Sequence, residues 1–195
     1  EQVLQQVEAD PRVTSSWNIR MALQAGDFSR AIDELKLRVS NDERDANSRI
    51  LLARLLYLQT RDADQAFAYL DEAEAITANS LAITAARVSI LRAMGRTQEA
   101  QQLLDEYVTD SSDFNAHMMR ATYWASVGEL ERAEQDYRKL TSFPDQGASG
   151  YAVLSSFYAR NQRLDEAVTA LEEGLKLDPN NLSLQRALMK TLIVR

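Results

Sequence analysis

Apolar residues recur along this chain three and four positions apart, in blocks of about a dozen residues separated by one or two polar or flexible positions. Trp17, Ile19, Met21, Ala22 and Leu23 run up to Gly26-Asp27, and Ala31, Ile32, Leu35 and Val39 follow it. The glycine suits a left-handed helix end and the aspartate a helix cap, so the pattern predicts helix, tight turn, helix from about Thr14 to Val39. The same reading predicts paired helices near 46–59 and 64–76, 81–94 and 97–108, 115–127 and 129–140, and 149–161 and 164–177. A last helix over 182–194 places Leu184, Leu188, Met189 and Leu192 on one face. A short helix over Glu1–Ala9, carrying Val3, Leu4 and Val7, is stopped by Asp10-Pro11, because proline disfavours helix in the residue before it. No strand-like alternation competes, so the fold class expected is all-α.

The blocks repeat. Gly26-Asp27-Phe28-Ser29-Arg30-Ala31 returns as Arg61 to Ala66, Gly95 to Ala100, Gly128 to Ala133 and Gln162 to Ala167, with only the closing alanine common to all five. The alanines lie 35, 34, 33 and 34 residues apart. A fixed period of this length marks a helical array whose units bury their apolar faces by stacking on neighbours. The expected organisation is one solenoid over 1–195: a half repeat 1–11, repeats at about 12–45, 46–80, 81–113, 114–147 and 148–181, and a terminal helix 182–195. Half repeats at both ends imply a longer natural protein, while a capping helix is the other reading of the last segment. Helices crowd together at Ala31, Ala66, Ala100, Ala133 and Ala167, where a larger side chain would force them apart.

Tyr151, Leu154, Ser155, Tyr158, Leu164, Asp165, Glu166, Ala167, Leu171, Gly174 and Asp178-Pro179-Asn180 make the fifth unit the best match to a known pattern: it resembles the tetratricopeptide repeat family. Small residues recur in the first helix of a pair as Ala53, Ala121 and Ser155, while Ile19 and Val88 depart from that pattern. The resemblance covers nearly the whole chain and implies a right-handed superhelical α-solenoid of antiparallel helix pairs, about 12 helices in all. It also implies that partners lie in a concave groove lined by the first helix of each pair. The groove positions map to Trp17, Arg20, Gln24, Asn47, Leu51, Arg54, Tyr57, Ala82, Ala86, Ser89 and Arg92. Further along they map to Asn115, Met118, Met119, Thr122, Ser149, Val153, Ser156 and Arg160.

Arg20, Arg54 and Arg92 come from successive first helices and suit a ladder binding carboxylates or a peptide backbone. Arginine supplies 18 of the 22 basic residues, however, so some must face the groove by composition alone. Met118-Met119 with Val153 offers an adaptable apolar pocket, against the plainer reading of one core and one half-exposed methionine. Trp124 and Tyr158 read as core, and Trp17 fits core or groove. The lysine and asparagine clamp of the family's chaperone-tail binders is absent, since no lysine occupies a mapped position.

Net charge and composition narrow the partners. With 29 acidic against 22 basic residues, nucleic acid or an anionic membrane surface is not expected as a general partner, since both demand a concentrated basic face, although local basic patches stay open. No apolar run approaches 18 residues, so no membrane insertion is expected. The absence of cysteine fits a cytoplasm or a bacterial periplasm and leaves the compartment open. His117, the single histidine, lacks a Cys or His partner and reads as structural; no cofactor, metal site or catalytic constellation is expected. The function expected is a non-catalytic scaffold holding a protein or peptide segment, or a partner helix, in its groove within a larger complex such as a bacterial envelope export, pilus or exopolysaccharide assembly. Two alternatives stand beside it: the substrate-selecting or regulatory region of a longer enzyme such as a glycosyltransferase, and a homo-oligomeric self-assembly module built through the terminal repeats.

Overall fold

The computed structural model describes residues 11–111 and 113–195, which form eleven α-helices and no strand. They are α1 (Pro11–Gln24), α2 (Phe28–Asn41), α3 (Ala46–Thr60), α4 (Ala63–Ile76), α5 (Leu81–Ala93), α6 (Thr97–Ser111), α7 (Phe114–Ser126), α8 (Leu130–Leu140), α9 (Gly147–Arg160), α10 (Leu164–Leu177) and α11 (Leu182–Val194). The helix expected over Glu1–Ala9 lies outside the described residues. The all-α solenoid of helix pairs expected from the sequence is the fold observed. α1 begins three residues earlier than the apolar pattern suggested, at Pro11, because proline lacks the N–H that a first helical residue leaves unused.

Local chemistry sets the boundaries. Asp27, Asp45, Asp62, Asp113 and Asn181 each cap a helix by accepting a bond from the backbone N–H three residues on, at 2.7–3.2 Å. The turn inside each pair carries one residue with positive φ: Gly26 (71°), Arg61 (61°), Gly95 (77°), Gly128 (85°) and Gln162 (61°). At four of these turns two carbonyls of the ending helix are recaptured, as where Gly26 N–H reaches the Leu23 carbonyl (3.2 Å) and Asp27 N–H the Ala22 carbonyl (2.9 Å). The turn at Arg61 differs: Arg61 N–H bonds the Tyr57 carbonyl at 3.0 Å, and Asp62 N–H takes the Thr60 hydroxyl. There the extra residue behind the 35-residue spacing is absorbed, lengthening α3 by a residue rather than loosening the loop.

The chain divides into two compact units, Glu1–Leu104 and Asp105–Arg195. In the first, Ile19, Ala22, Ala31, Ile32, Leu35, Val39, Leu52, Leu55 and Leu56 make one core cluster, and Ile50, Ala53, Tyr57, Ala66, Leu70, Ala73, Ile83, Ala86 and Ile90 a second. α3 packs on α4 and also on α5, so the first helix of one pair touches the first helix of the next. In the second unit α9 packs on α8, α10 and α11 in the same manner. Ala31, Ala66, Ala100, Ala133 and Ala167 are all fully inaccessible. The second unit holds a tighter approach still: a Cβ on Gly150 would lie 2.4 Å from the Leu140 carbonyl oxygen. The segment expected to link the fourth and fifth pairs therefore ends at a helix that begins two residues early, at Gly147, pressed against the end of α8. On α11, Leu184 is buried and Leu188 half-buried, while Met189 and Leu192 are exposed.

Candidate functional site

In the second unit, small residues at equivalent places in α7 and α9, Ala121 and Ser155, are buried within the helix packing, and the faces beside them remain open. Between these faces lies a cleft of about 600 Å³. Its apolar lining includes Met118 and Ala125 from α7, Leu130 and Tyr137 from α8, and Val153 and Phe157 from α9, with the Tyr137 and Phe157 rings 4.9 Å apart. Its polar lining is Thr122, Ser126, Ser156, Arg160 and Asn161. The three hydroxyls are turned back onto their own helices: Thr122 donates to the Met118 carbonyl (2.8 Å), Ser126 to Tyr123 (2.7 Å) and Ser156 to Ala152 (2.9 Å). Asn161 likewise donates to the Phe157 carbonyl at 2.8 Å. What remains for a ligand is hydroxyl lone pairs, the second Asn161 amide proton, the Tyr137 hydroxyl, apolar surface and the exposed guanidinium of Arg160.

Of the mapped residues in this unit, Met118, Thr122, Val153, Ser156 and Arg160 share the cleft, while half-buried Met119 and exposed Asn115 and Ser149 do not line it. In the first unit, Arg20, Gln24, Asn47, Arg54, Ala82, Ser89 and Arg92 are exposed and Leu51 is half-buried. Trp17, left open between core and groove, is 59% exposed. Arg20 and Arg54 occupy equivalent register, each one residue after Ile19 and Ala53 respectively, and Arg92 lies three residues after Ser89, the equivalent position of α5, so it stands about one turn further along the same face. Tyr57, mapped to the groove, is 7% exposed and packs in the second core cluster with the Arg61 guanidinium 5.5 Å over its ring. Ala86 is buried in the same cluster.

Ionic anchors lie beyond what spacing along the chain could show. Arg49, 7% exposed, donates to Glu72 (2.9 Å) and to the carbonyls of Asp42 (3.2 Å), Asp45 (3.2 Å) and Val39 (3.4 Å), so it closes the end of α2 from α3. Asp136, 5% exposed, receives two bonds from Arg120 at 2.8 Å and lies 2.9 Å from His117 Nδ1, while Arg120 also reaches Asp105 at 2.9 Å. This gives His117 the structural role expected of it. Glu134 accepts from Tyr158 (2.8 Å), Arg163 (2.5 Å) and Arg138 (2.9 Å). Burial pushes the Glu134 carboxyl up, but the bonds from Arg163, Tyr158 and Arg138 outweigh it and hold the carboxyl down to about 2. Burial, followed by the bond to Glu134, pushes the Tyr158 hydroxyl up to about 12.

Among the described residues no group of three or more His, Cys, Asp or Glu side chains is placed to hold a metal ion, and no helix is long and apolar enough to cross a membrane. The perturbed carboxylates belong to ion-pair anchors and lie outside the cleft lining.

A sequence profile described as tetratricopeptide repeat matches residues 148–181, and a second of the same description matches 19–80 and 86–151. Among solved structures, a tetratricopeptide repeat protein from Parabacteroides merdae superposes with a TM-score of 0.60 at 14% identity, covering 98% of this chain and 74% of that one. A thermophilic TPR protein from Thermus thermophilus gives 0.54 at 19% identity, covering 92% and 99%. MamA (41-end) from Desulfovibrio magneticus gives 0.51 at 14%, covering 89% and 98%. At these identities the likeness is one of fold. No curated protein sequence matches.

Proposed function

This chain belongs to the tetratricopeptide repeat family, a protein–protein interaction fold, and we propose that it acts as a non-catalytic scaffold whose second unit holds a segment of a partner protein in the cleft between α7 and α9. The observation that carries this reading is the lining itself. Five residues that differ between repeats, Met118, Thr122, Val153, Ser156 and Arg160, converge on one open apolar surface, while the residues repeated between units are buried as packing. Rigid helices bearing half-exposed apolar side chains suit an extended or helical segment, because little conformational freedom is lost on binding.

The first unit carries a candidate surface of its own, in which exposed Arg20, Asn47, Arg54 and Arg92 with half-buried Leu51 offer mainly polar contacts. A photo-crosslinking amino acid at Thr122, within the cleft, is expected to trap partners that the same group at Glu172 on α10 does not. Equal crosslinking at both places would sink the cleft assignment. A pull-down with Arg54→Glu plus Arg92→Glu tests the first unit separately, and unchanged partners would remove those arginines from the surface.

A further inference from the structure

Resting on that reading, we propose that the α7–α9 cleft selects segments in which a bulky apolar side chain stands close to an internal acidic side chain, with Arg160 as the specificity-determining residue. The lining is charge-asymmetric. Among the described residues it holds one cation, Arg160, and no carboxylate, although acidic residues outnumber basic ones 29 to 22 over the chain. The ion pairs described in this unit occupy Arg120, Arg138, Arg163, Lys176 and Arg195, and Arg160 takes part in none of them.

The other polar groups are neutral, so none supplies a charge, and only the second Asn161 amide proton and the Tyr137 hydroxyl remain as further donors. Thr122, Ser126 and Ser156 have committed their protons to helix carbonyls, and Asn161 donates to the Phe157 carbonyl. A basic side chain entering the cleft would meet Arg160 with no acid to receive it, whereas an acidic one meets a planar donor set that can bind it in two bonds. Met118, Val153, Phe157 and Leu130 supply the apolar floor, and methionine adapts to side chains of different shape. Shape and burial thus provide attraction, and the single charge provides discrimination.

The probe is a pool of terminally capped octapeptides in which one Leu and one Glu stand one to four residues apart in an Ala and Ser background. Binding to the whole chain is read by fluorescence anisotropy, with Met118 methyl shifts reporting the place. At least one spacing is expected to bind and to weaken about tenfold when its Glu becomes Gln. Arg160→Glu is expected to lose that peptide and to gain the counterpart carrying Lys, while Arg160→Lys keeps the acidic preference with lower affinity; unchanged melting temperatures show that the variants are folded.

Equal binding of the Glu and Gln peptides would overturn the charge selection while leaving the cleft reading standing on its crosslinks. Failure of every spacing, or binding only of uncapped peptides through a terminal carboxylate, would overturn it as well. Loss of the crosslinks at Thr122 would instead strike the cleft reading itself.

Discussion

The two units share a packing code and differ in how they anchor it. In the first, the buried ion is a cation: Arg49 reaches across to α2 and ties down three carbonyls, and its acidic partner Glu72 remains exposed. In the second, the buried ion is an anion: Asp136 gathers Arg120 and His117 around itself, and Glu134 gathers Tyr158, Arg138 and Arg163. The repeated alanines behave alike in both. The lesson is that the repeat fixes how closely helices approach, and each unit is then secured by charged groups that recur at no fixed period.

The largest expected effect tests that difference. Asp136→Ala leaves Arg120 and His117 facing each other without their anion, which is expected to cost the second unit about 3–5 kcal/mol. Arg49→Leu leaves carbonyls at a helix end, which water can reach more readily, and an acid already in solvent, so about 1–2 kcal/mol is expected in the first unit. Hydrogen exchange resolved by unit measures both losses. Equal costs would break the contrast between a buried anion and a buried cation.

The shared code comes next. Ala100→Leu in the first unit and Ala167→Leu in the second are each expected to lower stability by roughly 1–3 kcal/mol, because the added heavy atoms meet helices already in contact. Similar falls in melting temperature support a common register. An unaffected variant in one unit would show that its alanine does not set the helix spacing.

Acid distinguishes the units again. The folded pKa of Glu134 is depressed from 4.5 to about 2, so its contribution is fully present above pH 4.5 and is lost as the pH falls toward 2. Discounting for the partial exposure of Arg163, the loss is on the order of 1–2 kcal/mol. Glu134→Gln is expected to flatten this segment of the stability profile in the second unit. Asp45 in the first unit is also held below its usual range, burial being outweighed by bonds from Ser48 and Arg38, so some acid sensitivity persists there in the variant. A profile unchanged by Glu134→Gln would remove the carboxylate from the list of anchors.

How much of this was legible in the sequence follows from the range of each interaction. The closing alanines and the helix pairs are local patterns repeated five times at a nearly fixed period, and repetition makes weak signals strong. Arg120 and Asp136 lie 16 residues apart and His117 and Asp136 19 apart, distances at which no helical spacing marks a pair; only the folded helix pair brings them together. Arg49 is equally hidden, since arginine is normally exposed and nothing around it in sequence signals burial. Gly150 carries no local signal either, yet it is a place of closest approach, because the carbonyl it faces belongs to Leu140 in another helix. For the cleft, the mapping found Met118, Thr122, Val153, Ser156 and Arg160 but could not supply Leu130 and Tyr137, which enter from the second helix of the pair.

The smallest expected effect lies in the turns. Arg61 and Gln162 hold the left-handed conformation that Gly26, Gly95 and Gly128 adopt without a Cβ penalty. Relieving that strain is worth roughly 1–2 kcal/mol, and the added freedom of glycine in the unfolded chain removes about half of it. Gln162→Gly is therefore expected to stabilise the second unit by about 0.5–1 kcal/mol. Arg61→Gly should gain less, close to zero, because it also deletes the guanidinium over Tyr57, a contact worth about 0.5 kcal/mol at an exposed site. Both values are read from urea midpoints, with Arg61→Lys as a further variant that retains a cation and the strain. If Arg61→Gly stabilises as much as Gln162→Gly, the cation over Tyr57 contributes nothing, and the two turns differ only in their hydrogen bonds.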